Sequence, residues 1–524
     1  MSKTNNAQGQ PQGKATLRRD VTIWGSYMWG FADVGADTYV ALGLVMAYAQ
    51  GATGLAFALA GMVYIMTGLA YTELASTYPV AGGGPYFTLR GLGDFGGFVA
   101  GSALLLDYTI DIALFAVASA GYINFFIPSF RASSISFGPF HDVNLIWCVE
   151  TLVIILFLIW LNIRGMKESS LFNEIIGVIV ILGESAIIIL GFLFAWKPEL
   201  LVYQWEHQFP TISNFMYGSS LAIISFVGLE SISQAAQETR RPATIIPRTS
   251  ISLIFTVFIF AVSLSVLGLG ILPWQKFAEH MDNPVAILAH NIPYIGLVAG
   301  SLAAILGATI LLISSNSGVM SVSRLAYSLS EFNIISKWFN VVHKKYRTPV
   351  RTIVVFSLMG ILLTVVSFLF GKDKTMDILG NMYAFGATLG YTLVFISLIK
   401  LRFSDPYTPR PFKVPVNIPI KFKGVRVEFP ILGLIGMFEV ATILFEVILT
   451  HTIGRIAGPA WIGLSFIYYA IYRKKNGLPI FGSVKREWET HQKEVLTSAE
   501  EWDMLEQYKL ALFERDKGSK KNGK

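Results

Sequence analysis

Long apolar runs separated by short polar segments fill most of this chain. The runs repeatedly reach roughly 20 residues, the length that an α-helix needs to cross the hydrocarbon core of a bilayer. The pattern therefore predicts an all-α integral membrane protein with 12 spans. The predicted spans are residues 22–49, 53–77, 95–127, 145–163, 170–195, 213–236, 247–272, 294–327, 350–370, 376–400, 428–450 and 454–472.

The first run carries two acids, Asp33 and Asp37, among the small residues of the stretch Gly30–Asp37. An ionised side chain near the bilayer centre costs roughly 2.5–3.5 kcal/mol, so such acids usually face an internal cavity and mark a substrate or ion pathway. Glycines beside the acids weaken the helix. We therefore predict that the first helix is broken here, as are the helices that build the binding sites of secondary transporters.

Further runs hold polar residues where a lipid-facing helix would have none. The third run places Asp107 and Asp111 four residues apart, on one face of a helix. The sixth run combines small residues with an acid and predicts a second break. The positions of interest are Ser225, Phe226, Gly228 and Glu230 in the sixth run, Ser314, Ser315 and Asn316 in the eighth, and Asn381, Tyr383, Gly386 and Tyr391 in the tenth.

The two predicted breaks begin two halves of similar length, residues 22–196 and 213–401, with five predicted spans each. Because five is odd, the second half crosses the membrane in the opposite sense to the first, as an inverted repeat requires. No residue-by-residue repeat is evident between the halves, so this prediction depends on topology and on the position of the breaks. Residues 428–472 hold the two remaining spans.

Composition argues against a large water-soluble globule. Hydrophobic residues make up 53% of the chain and charged residues 14%, and the mean hydropathy is +0.55, whereas soluble domains are about 25% charged. The bilayer is therefore the main solvent. The single Cys148 excludes an internal disulfide, and the 7 histidines show no metal-ligand spacing. The sequence predicts neither a metal nor a cofactor.

Lysine and arginine are unevenly divided between the two sets of predicted loops. One set carries 22 of them and the opposite set carries 6. Because the richer side of a membrane protein is the cytoplasmic side, we predict a multi-pass protein of the cell membrane with both termini in the cytoplasm. The pI near 9.1 then reflects this topology and anionic lipid headgroups, and it gives no reason to expect a nucleic-acid partner.

The polar ends predict two cytoplasmic tails around a transmembrane domain of residues 20–475. Residues 1–19 are rich in Gln, Asn, Gly, Lys and Arg, and predict a disordered tail. Residues 476–524 are strongly charged, and apolar side chains between Trp488 and Leu512 fall near one face of a possible helix of about 30 residues. That helix either is a solvated tail or docks beneath the membrane domain.

Several segments resemble signatures of the amino acid-polyamine-organocation (APC) superfamily of permeases. They follow the order of the family's motifs across residues 22–330. The similar segments are Tyr71–Tyr86 for the second span, Leu106–Tyr108 for the third, Phe226–Glu230 with Glu238–Pro242 and Ile246–Arg248 for the sixth and its exit loop, and Ser315–Asn316 with Ser323–Tyr327 for the eighth.

The resemblance implies a LeuT-type fold, in which a 5+5 inverted repeat of helices is followed by two more. It also implies alternating access around a site between the first and sixth helices. In that family the first break usually reads Gly-small-Gly, and its free NH groups hold the carboxylate of an amino acid, since a helix N-terminus attracts an anion. Here the triplet is Gly35-Ala36-Asp37. An acid in place of the third glycine would repel a carboxylate.

The candidate substrate site combines the two predicted breaks with an acid of the third span. Four acids together suit an ammonium group, a polyamine-like cargo or a bare cation, although any of them could instead be protonated or bonded to backbone. The predicted substrate-binding residues are Asp33, Gly35, Ala36, Asp37, Asp111, Ser225, Phe226, Gly228 and Glu230.

The predicted coupling ion is a proton or sodium, and exchange without a coupling ion stays open. Some proton-coupled relatives place a lysine in the fifth span, but residues 179–184 of this chain contain none. Buried carboxylates can carry protons instead, and hydroxyl and carbonyl oxygens suit sodium. The candidate coupling residues are Asp107, Ser314, Ser315 and Asn316.

Three kinds of function are compatible with these features. The first is a secondary active transporter for an amino acid or a related organic amine, either cationic or zwitterionic. The second is uptake of an inorganic cation such as potassium, which the number of acids also suits. The third is a sensor or an enzyme on the same scaffold. Because the chain has no G-x-S-x-G, H-E-x-x-H or P-loop motif, we predict that it is not an enzyme.

Overall fold

The structure is a computed structural model that describes residues 21–80, 82–165, 169–422 and 424–522. Helices dominate it. In chain order they are α1 Ile23–Ala49, α2 Thr53–Thr77, α3 Gly83–Leu92, α4 Asp94–Ile123, α5 Pro128–Ala132, α6 Leu145–Arg164, α7 Ser169–Phe194, α8 Pro198–His207, α9 Ile212–Ala222, α10 Glu230–Gln234, α11 Pro242–Ile271, α12 Trp274–Glu279, α13 Pro284–His290, α14 Gly296–Glu331, α15 Val350–Leu369, α16 Lys372–Ser404, α17 Ile431–Thr450, α18 Gly454–Lys475, α19 Trp488–Ser498 and α20 Trp502–Asn522.

Two antiparallel hairpins and four short 3-10 turns connect these helices. The hairpins lie between α5 and α6 and between α16 and α17, so neither contributes to the helical core. The strands are β1 Ile135–Phe137 with β2 Phe140–Val143, and β3 Asn417–Phe422 with β4 Val425–Pro430. The 3-10 turns are Gln50–Ala52, Ile223–Phe226, Ala235–Gln237 and Lys337–Phe339.

The prediction of an all-helical membrane protein is confirmed. Each predicted apolar run coincides with one long helix, or with the pair α9 and α10 for the sixth run, and the boundaries differ by a few residues. In the described part of the chain, 10 segments are long and apolar enough to cross a bilayer. One of them, Ile23–Thr77, contains both α1 and α2 in its 55 residues, and α18 is not among them.

Burial separates a central set of helices from a peripheral set. Nearly every residue of α4 is buried, as is most of α1. Small residues let these central helices approach their neighbours closely. In contrast α6, α7, α15, α17 and α18 expose apolar side chains, such as Val153 at 60% and Leu464 at 68%. Apolar side chains on the outside are what a lipid environment favours.

Helices at matching positions in the two halves pack against each other. The helix α1 contacts α9, the Ile223–Phe226 turn and α10, while α2 contacts α11. Likewise α4 packs along α14, and α6 packs on α15. Numbered as predicted spans, these are the first with the sixth, the second with the seventh, the third with the eighth and the fourth with the ninth.

The sixth predicted span is interrupted, as expected. The helix α9 ends at Ala222, a 3-10 turn follows, and the chain is extended at Val227. Gly228 then adopts φ 115°, a backbone conformation that residues with a Cβ rarely take. The next helix, α10, begins at Glu230.

The break predicted within the first span is wrong. The helix α1 runs without interruption from Ile23 to Ala49. All three residues of the triplet Gly35-Ala36-Asp37 are therefore helical. Gly35 does not form a turn, and its missing side chain allows close packing. The Phe31 ring, one helical turn earlier, lies 2.8 Å from the position that a Cβ would take at residue 35. No free backbone donors of the kind expected at a break are therefore created at Gly35 and Ala36.

The predicted N-terminal tail, residues 1–19, lies outside the described residues. At the other end of the chain, two helices occupy the segment where one helix of about 30 residues was expected. They are α19 and α20, and the chain turns between them at Glu500, whose φ is 56°. Their apolar side chains form a small cluster with Ala243 and Tyr407 of the membrane domain. The cluster consists of Leu496, Met504, Leu505, Tyr508 and Leu512.

Candidate functional site

Five carboxyl side chains from three central helices are buried close to one another. Each is at most 4% exposed, and all five are near enough to interact electrostatically. They come from α1, α4 and α10. The helix α1 contacts α10, and both α1 and α4 pack on α14. The five are Asp33 and Asp37 of α1, Asp107 and Asp111 of α4, and Glu230 of α10. We call them the carboxyl cluster.

Glu230 anchors the cluster at the break. Its Oε2 accepts hydrogen bonds from the Tyr391 hydroxyl, at 2.7 Å, and from the Gly228 backbone NH, at 3.1 Å. The Tyr391 side chain comes from α16, so this carboxyl joins two helices that are distant in the chain. Oε1 of Glu230 has no hydrogen-bond partner in the described structure.

Asp33 faces the same break from α1. Its Oδ2 and Cγ lie 3.2 Å from the position that a Cβ would take at Gly228. The hydroxyls of Ser231 and Ser317 lie near the Asp33 carboxyl, and the Ser314 hydroxyl donates to the Asp33 backbone carbonyl at 3.4 Å. The missing side chain at residue 228 thus makes room for the acid.

Two of the other three acids, Asp107 and Asp111, face helices with glycine at the contact. Asp111 Oδ2 lies 2.9 Å from where a Cβ would sit at Gly318 of α14, and Asp107 Cβ lies 3.1 Å from that position at Gly386 of α16. The Tyr383 hydroxyl is close to the Asp111 carboxyl. Within the described residues, both oxygens of Asp37, both of Asp107 and Oδ1 of Asp111 have no hydrogen-bond partner.

The helices that carry the acids contribute no cation. The sequences of α1, α4 and α10 contain neither lysine nor arginine. Arg324 of α14 stacks 4.6 Å over the Trp29 ring, one turn before Asp33, but it pairs with Glu238 at 2.9 Å. A buried carboxylate without a partner is strongly unfavourable. The cluster is therefore suited to hold protons or a positively charged ligand.

Aromatic side chains and free hydroxyls border the acids. Phe226 packs on the Tyr64 ring, with centroids 5.2 Å apart. The buried hydroxyls of Tyr64, Tyr71, Ser225 and Ser231 have no hydrogen-bond partner among the residues that the structure describes. Each can donate a hydrogen bond to an anionic or carbonyl group of a ligand.

The structure brings most of the predicted site residues together. The three exceptions are Gly35, Ala36 and Asn316. Ala36 is a buried helical residue of α1, and Gly35 packs on Phe31. Asn316 accepts a hydrogen bond from Asn162 of α6 at 2.7 Å and donates to Met320 Sδ, so its side chain is engaged away from the cluster. Of the hydroxyl candidates, Ser314 reaches Asp33, whereas Ser315 donates to the Ile112 carbonyl at 2.9 Å.

Several residues at the site were not predicted as part of it. Tyr391, Tyr383 and Gly386 come from the tenth span, and Ser317 and Gly318 come from the eighth. The sequence signal was present, because α16 combines tyrosines with glycines in an apolar run. It did not show which helix these side chains face.

Comparison with known proteins agrees with this architecture. The family described as amino acid permease matches residues 23–472. The chain is 24% identical to the branched-chain amino acid permease BcaP of Bacillus subtilis (strain 168), over 88% of this chain and 95% of that protein. It is 26% identical to the gamma-aminobutyric acid permease of the same organism, over 89% of this chain and 96% of that protein. It is 27% identical to cationic amino acid transporter 4 of Mus musculus, over 72% of this chain and 58% of that protein.

These relatives are named as permeases and transporters, and none of them as an enzyme. A small-molecule substrate and a membrane setting follow from the family and from the apolar helices. The chain is therefore a multi-pass membrane transporter that belongs to the amino acid permease family.

Proposed function

We propose that this protein is a secondary active transporter that moves an amino acid or a related organic amine, cationic or zwitterionic, by alternating access. The observation that carries the proposal is the carboxyl cluster, whose five acids converge from α1, α4 and α10 beside a helix break. Such breaks are where secondary transporters bind substrate. Two relatives whose names mention gamma-aminobutyric acid and cationic amino acids support an amine cargo.

In the proposed site an ammonium group lies among Asp33, Asp37, Asp111 and Glu230. Their charges suit it, and no lysine or arginine of the same helices competes for them. The carboxylate of a zwitterionic cargo would need donors, and the unpartnered hydroxyls of Tyr64, Ser225 and Ser231 could supply them. The helix α1 is unbroken at Gly35-Ala36-Asp37, so it offers no free NH groups there, and Asp37 repels an anion. The ammonium group of a cargo therefore fits beside Asp37 better than a carboxylate does.

We further propose the 12-span topology of a LeuT-type fold. Residues 22–196 and 213–401 form the inverted repeat, and residues 428–472 add two helices. The pairwise packing of α1 with α10, α2 with α11, α4 with α14 and α6 with α15 supports a two-fold relation between the halves. The uneven loop charges support cytoplasmic termini, with residues 1–19 and 476–524 as cytoplasmic tails.

The proposed coupling ion is a proton or sodium. Asp107 has both carboxyl oxygens unpartnered in the described structure, which suits a proton carrier. Ser314 and Ser315 remain the hydroxyl candidates for sodium, whereas Asn316 is less favoured because Asn162 and Met320 engage its side chain.

Transport in liposomes tests the proposed cargo. Purified protein is reconstituted, and uptake of labelled arginine, alanine, putrescine and the potassium analogue rubidium is measured with and without a proton gradient. We expect saturable uptake of at least one amine and none of rubidium. Rubidium flux without amine flux would instead establish the alternative function, uptake of an inorganic cation, which the unpaired acids also suit.

Replacing one acid tests the site. We expect Asp37→Asn to abolish amine uptake while expression and monodispersity stay normal, because Asp37 is 1% exposed within the cluster and its charge has no partner in the described structure. Asp373→Asn, at an exposed position in the first turn of α16, is the matched control and should transport normally. Normal transport by Asp37→Asn would remove this residue from the site.

A further inference from the structure

A further buried acid lies outside the carboxyl cluster and, unlike Glu73, Asp94 and Asp282, pairs with no arginine among the described residues. Glu184 of α7 is 1% exposed, and neither of its carboxyl oxygens has a hydrogen-bond partner in the described part of the chain. Other positions of the same helix face outward, since Leu182 is 64% exposed and Ile189 is 57% exposed. Glu184 therefore points from the lipid-facing helix α7 into the protein.

Two tyrosines lie near this carboxyl. Tyr39 of α1 is fully buried, and its hydroxyl is also without a partner among the described residues. Tyr122 of α4 is already engaged, because its hydroxyl donates to the Tyr39 carbonyl at 3.0 Å and accepts from the Val285 backbone NH at 3.3 Å. Of these two hydroxyls, only that of Tyr39 is therefore free to donate to Glu184.

No charged side chain compensates Glu184 from the helices packed on α7. These helices are α1, α11 and α14. By sequence α1 has no lysine or arginine, and the one charged residue of α11, Arg248, lies in its second turn. The charged and titratable residues of α14 are Arg324, Tyr327 and Glu331, all in its last third.

Burial without a cation makes an ionised Glu184 strongly unfavourable in this conformation. The carboxyl must then carry a proton here. A metal cation would need more oxygen ligands than this carboxyl and two tyrosine hydroxyls supply, and no group of three metal-ligating residues occurs in the described structure.

We propose that Glu184 binds the coupling proton, at a site separate from the carboxyl cluster. This inference rests on the proposed transport function and names its coupling residue. The helix α1 connects the two sites, because it presents Asp37 to the cluster and Tyr39, two residues later, to Glu184. Protonation permits the close contact between α1 and α7. Loss of the proton requires that water or the Tyr39 hydroxyl reach the carboxylate, so this contact must loosen.

The test separates exchange from proton-driven accumulation. Wild type, Glu184→Gln and Glu439→Gln are reconstituted in liposomes that contain a pH-sensitive dye, and are assayed with whichever of arginine, alanine and putrescine the wild type exchanges. Gln mimics a permanently protonated carboxyl. We expect Glu184→Gln to exchange cargo but to lose both accumulation driven by an inward proton gradient and cargo-dependent proton entry. Glu439 lies on the peripheral helix α17, so its variant should match wild type.

Two results would overturn the proposal. One is accumulation and proton entry by Glu184→Gln at the wild-type level. The other is wild-type exchange without any proton entry, which would leave the transport function standing and reject only this coupling. If Glu184→Gln fails to exchange, Glu184→Asp decides: proton entry with a shifted pH dependence supports the assignment, and an unchanged pH dependence contradicts it.

Discussion

Gly228 is the residue on which the geometry of the carboxyl cluster depends most directly. Its φ of 115° ends the interruption between α9 and α10, and its NH donates to Glu230. The absence of a side chain also leaves room for the Asp33 carboxyl, 3.2 Å from where a Cβ would lie. One residue thus sets both the backbone and the approach of the two acids.

We expect Gly228→Ala to reduce transport at least tenfold. The positive φ costs about 1–3 kcal/mol for a residue with a Cβ, and the added methyl group displaces Asp33. Uptake in liposomes and the melting temperature in detergent measure the two effects. Gly463→Ala is the control, since Gly463 has no atom within 4 Å of its Cβ position in the described structure. Equal uptake by the two variants would contradict the prediction.

At the residue scale, charge was easier to predict than orientation. An acid in an apolar run is visible in sequence because lipid cannot solvate it, and the structure buries all five acids that were named, together in one cluster. The direction of a neutral polar side chain depends on which helix packs beside it. For that reason Asn316 was predicted as a coupling-ion candidate although its side chain bonds to Asn162, while Tyr391 was not selected as a site residue although it donates to Glu230.

At the scale of helices, the sequence predicted the order of the elements correctly. Of the two helix breaks that it predicted, the structure has only the one in the sixth span. Runs of about 20 apolar residues predict helices well, because their backbone must satisfy its own hydrogen bonds in lipid. A break needs more than small residues. Gly228 makes one through its positive φ, whereas Gly35 and Ala36 remain helical in α1.

The helices α2 and α16 are joined by a buried ion pair that the sequence did not predict. Glu73 is fully buried, and its two carboxyl oxygens accept from Arg402 at 2.5 and 2.6 Å. Oε2 also accepts from the Val414 backbone NH at 2.7 Å, and Arg410 lies 3.3 Å from Oε1. Glu73 therefore ties both helices to the segment after α16.

We expect Glu73→Gln to destabilise the protein by about 3–5 kcal/mol, because the buried Arg402 loses its close counter-charge and keeps only Glu428, at 3.9 Å. Thermal unfolding of purified protein in detergent measures the change. Glu279→Gln is the matched control: Glu279 pairs with Lys276 at 2.8 Å, but both side chains are more than half exposed, so its loss should leave the melting temperature nearly unchanged. Similar melting temperatures for the two variants would refute this role of Glu73.

At the scale of the whole molecule, the segment after α18 docks on the helix bundle. Arg486 pairs with Asp94, the first residue of α4, which also binds Arg473 at 2.8 Å. Gln492 of α19 donates to the Thr77 carbonyl at 3.0 Å and accepts from Arg90 at 2.8 Å. These contacts favour the docked alternative over a solvated tail. Polar pairing between distant segments, which periodicity does not encode, explains why the sequence left both open.

His491 lies inside this docked surface. Its Nδ1 is 3.2 Å from the Tyr86 hydroxyl, and the Trp488 and Phe332 rings border it. Burial, assisted by the Arg90 guanidinium, lowers the pKa of His491 below its ordinary 6.5, against the opposing effect of Glu494 and Glu331. An undocked tail exposes His491 to water and therefore takes up a proton more readily than the docked tail.

Docking of the tail should consequently weaken as the pH falls below about 6.5. The rate of limited proteolysis between α18 and α19 reports undocking, and we expect it to rise between about pH 7.5 and 5.5 in the wild type after correction for the protease's own pH dependence. His491→Gln stays neutral throughout this range, so its cleavage rate should not change with pH. Glu494→Gln removes the acid that favours a protonated His491 in the docked state, and should steepen the pH response. A wild-type rate that is independent of pH, or an equal response in His491→Gln, would show that this histidine does not control docking.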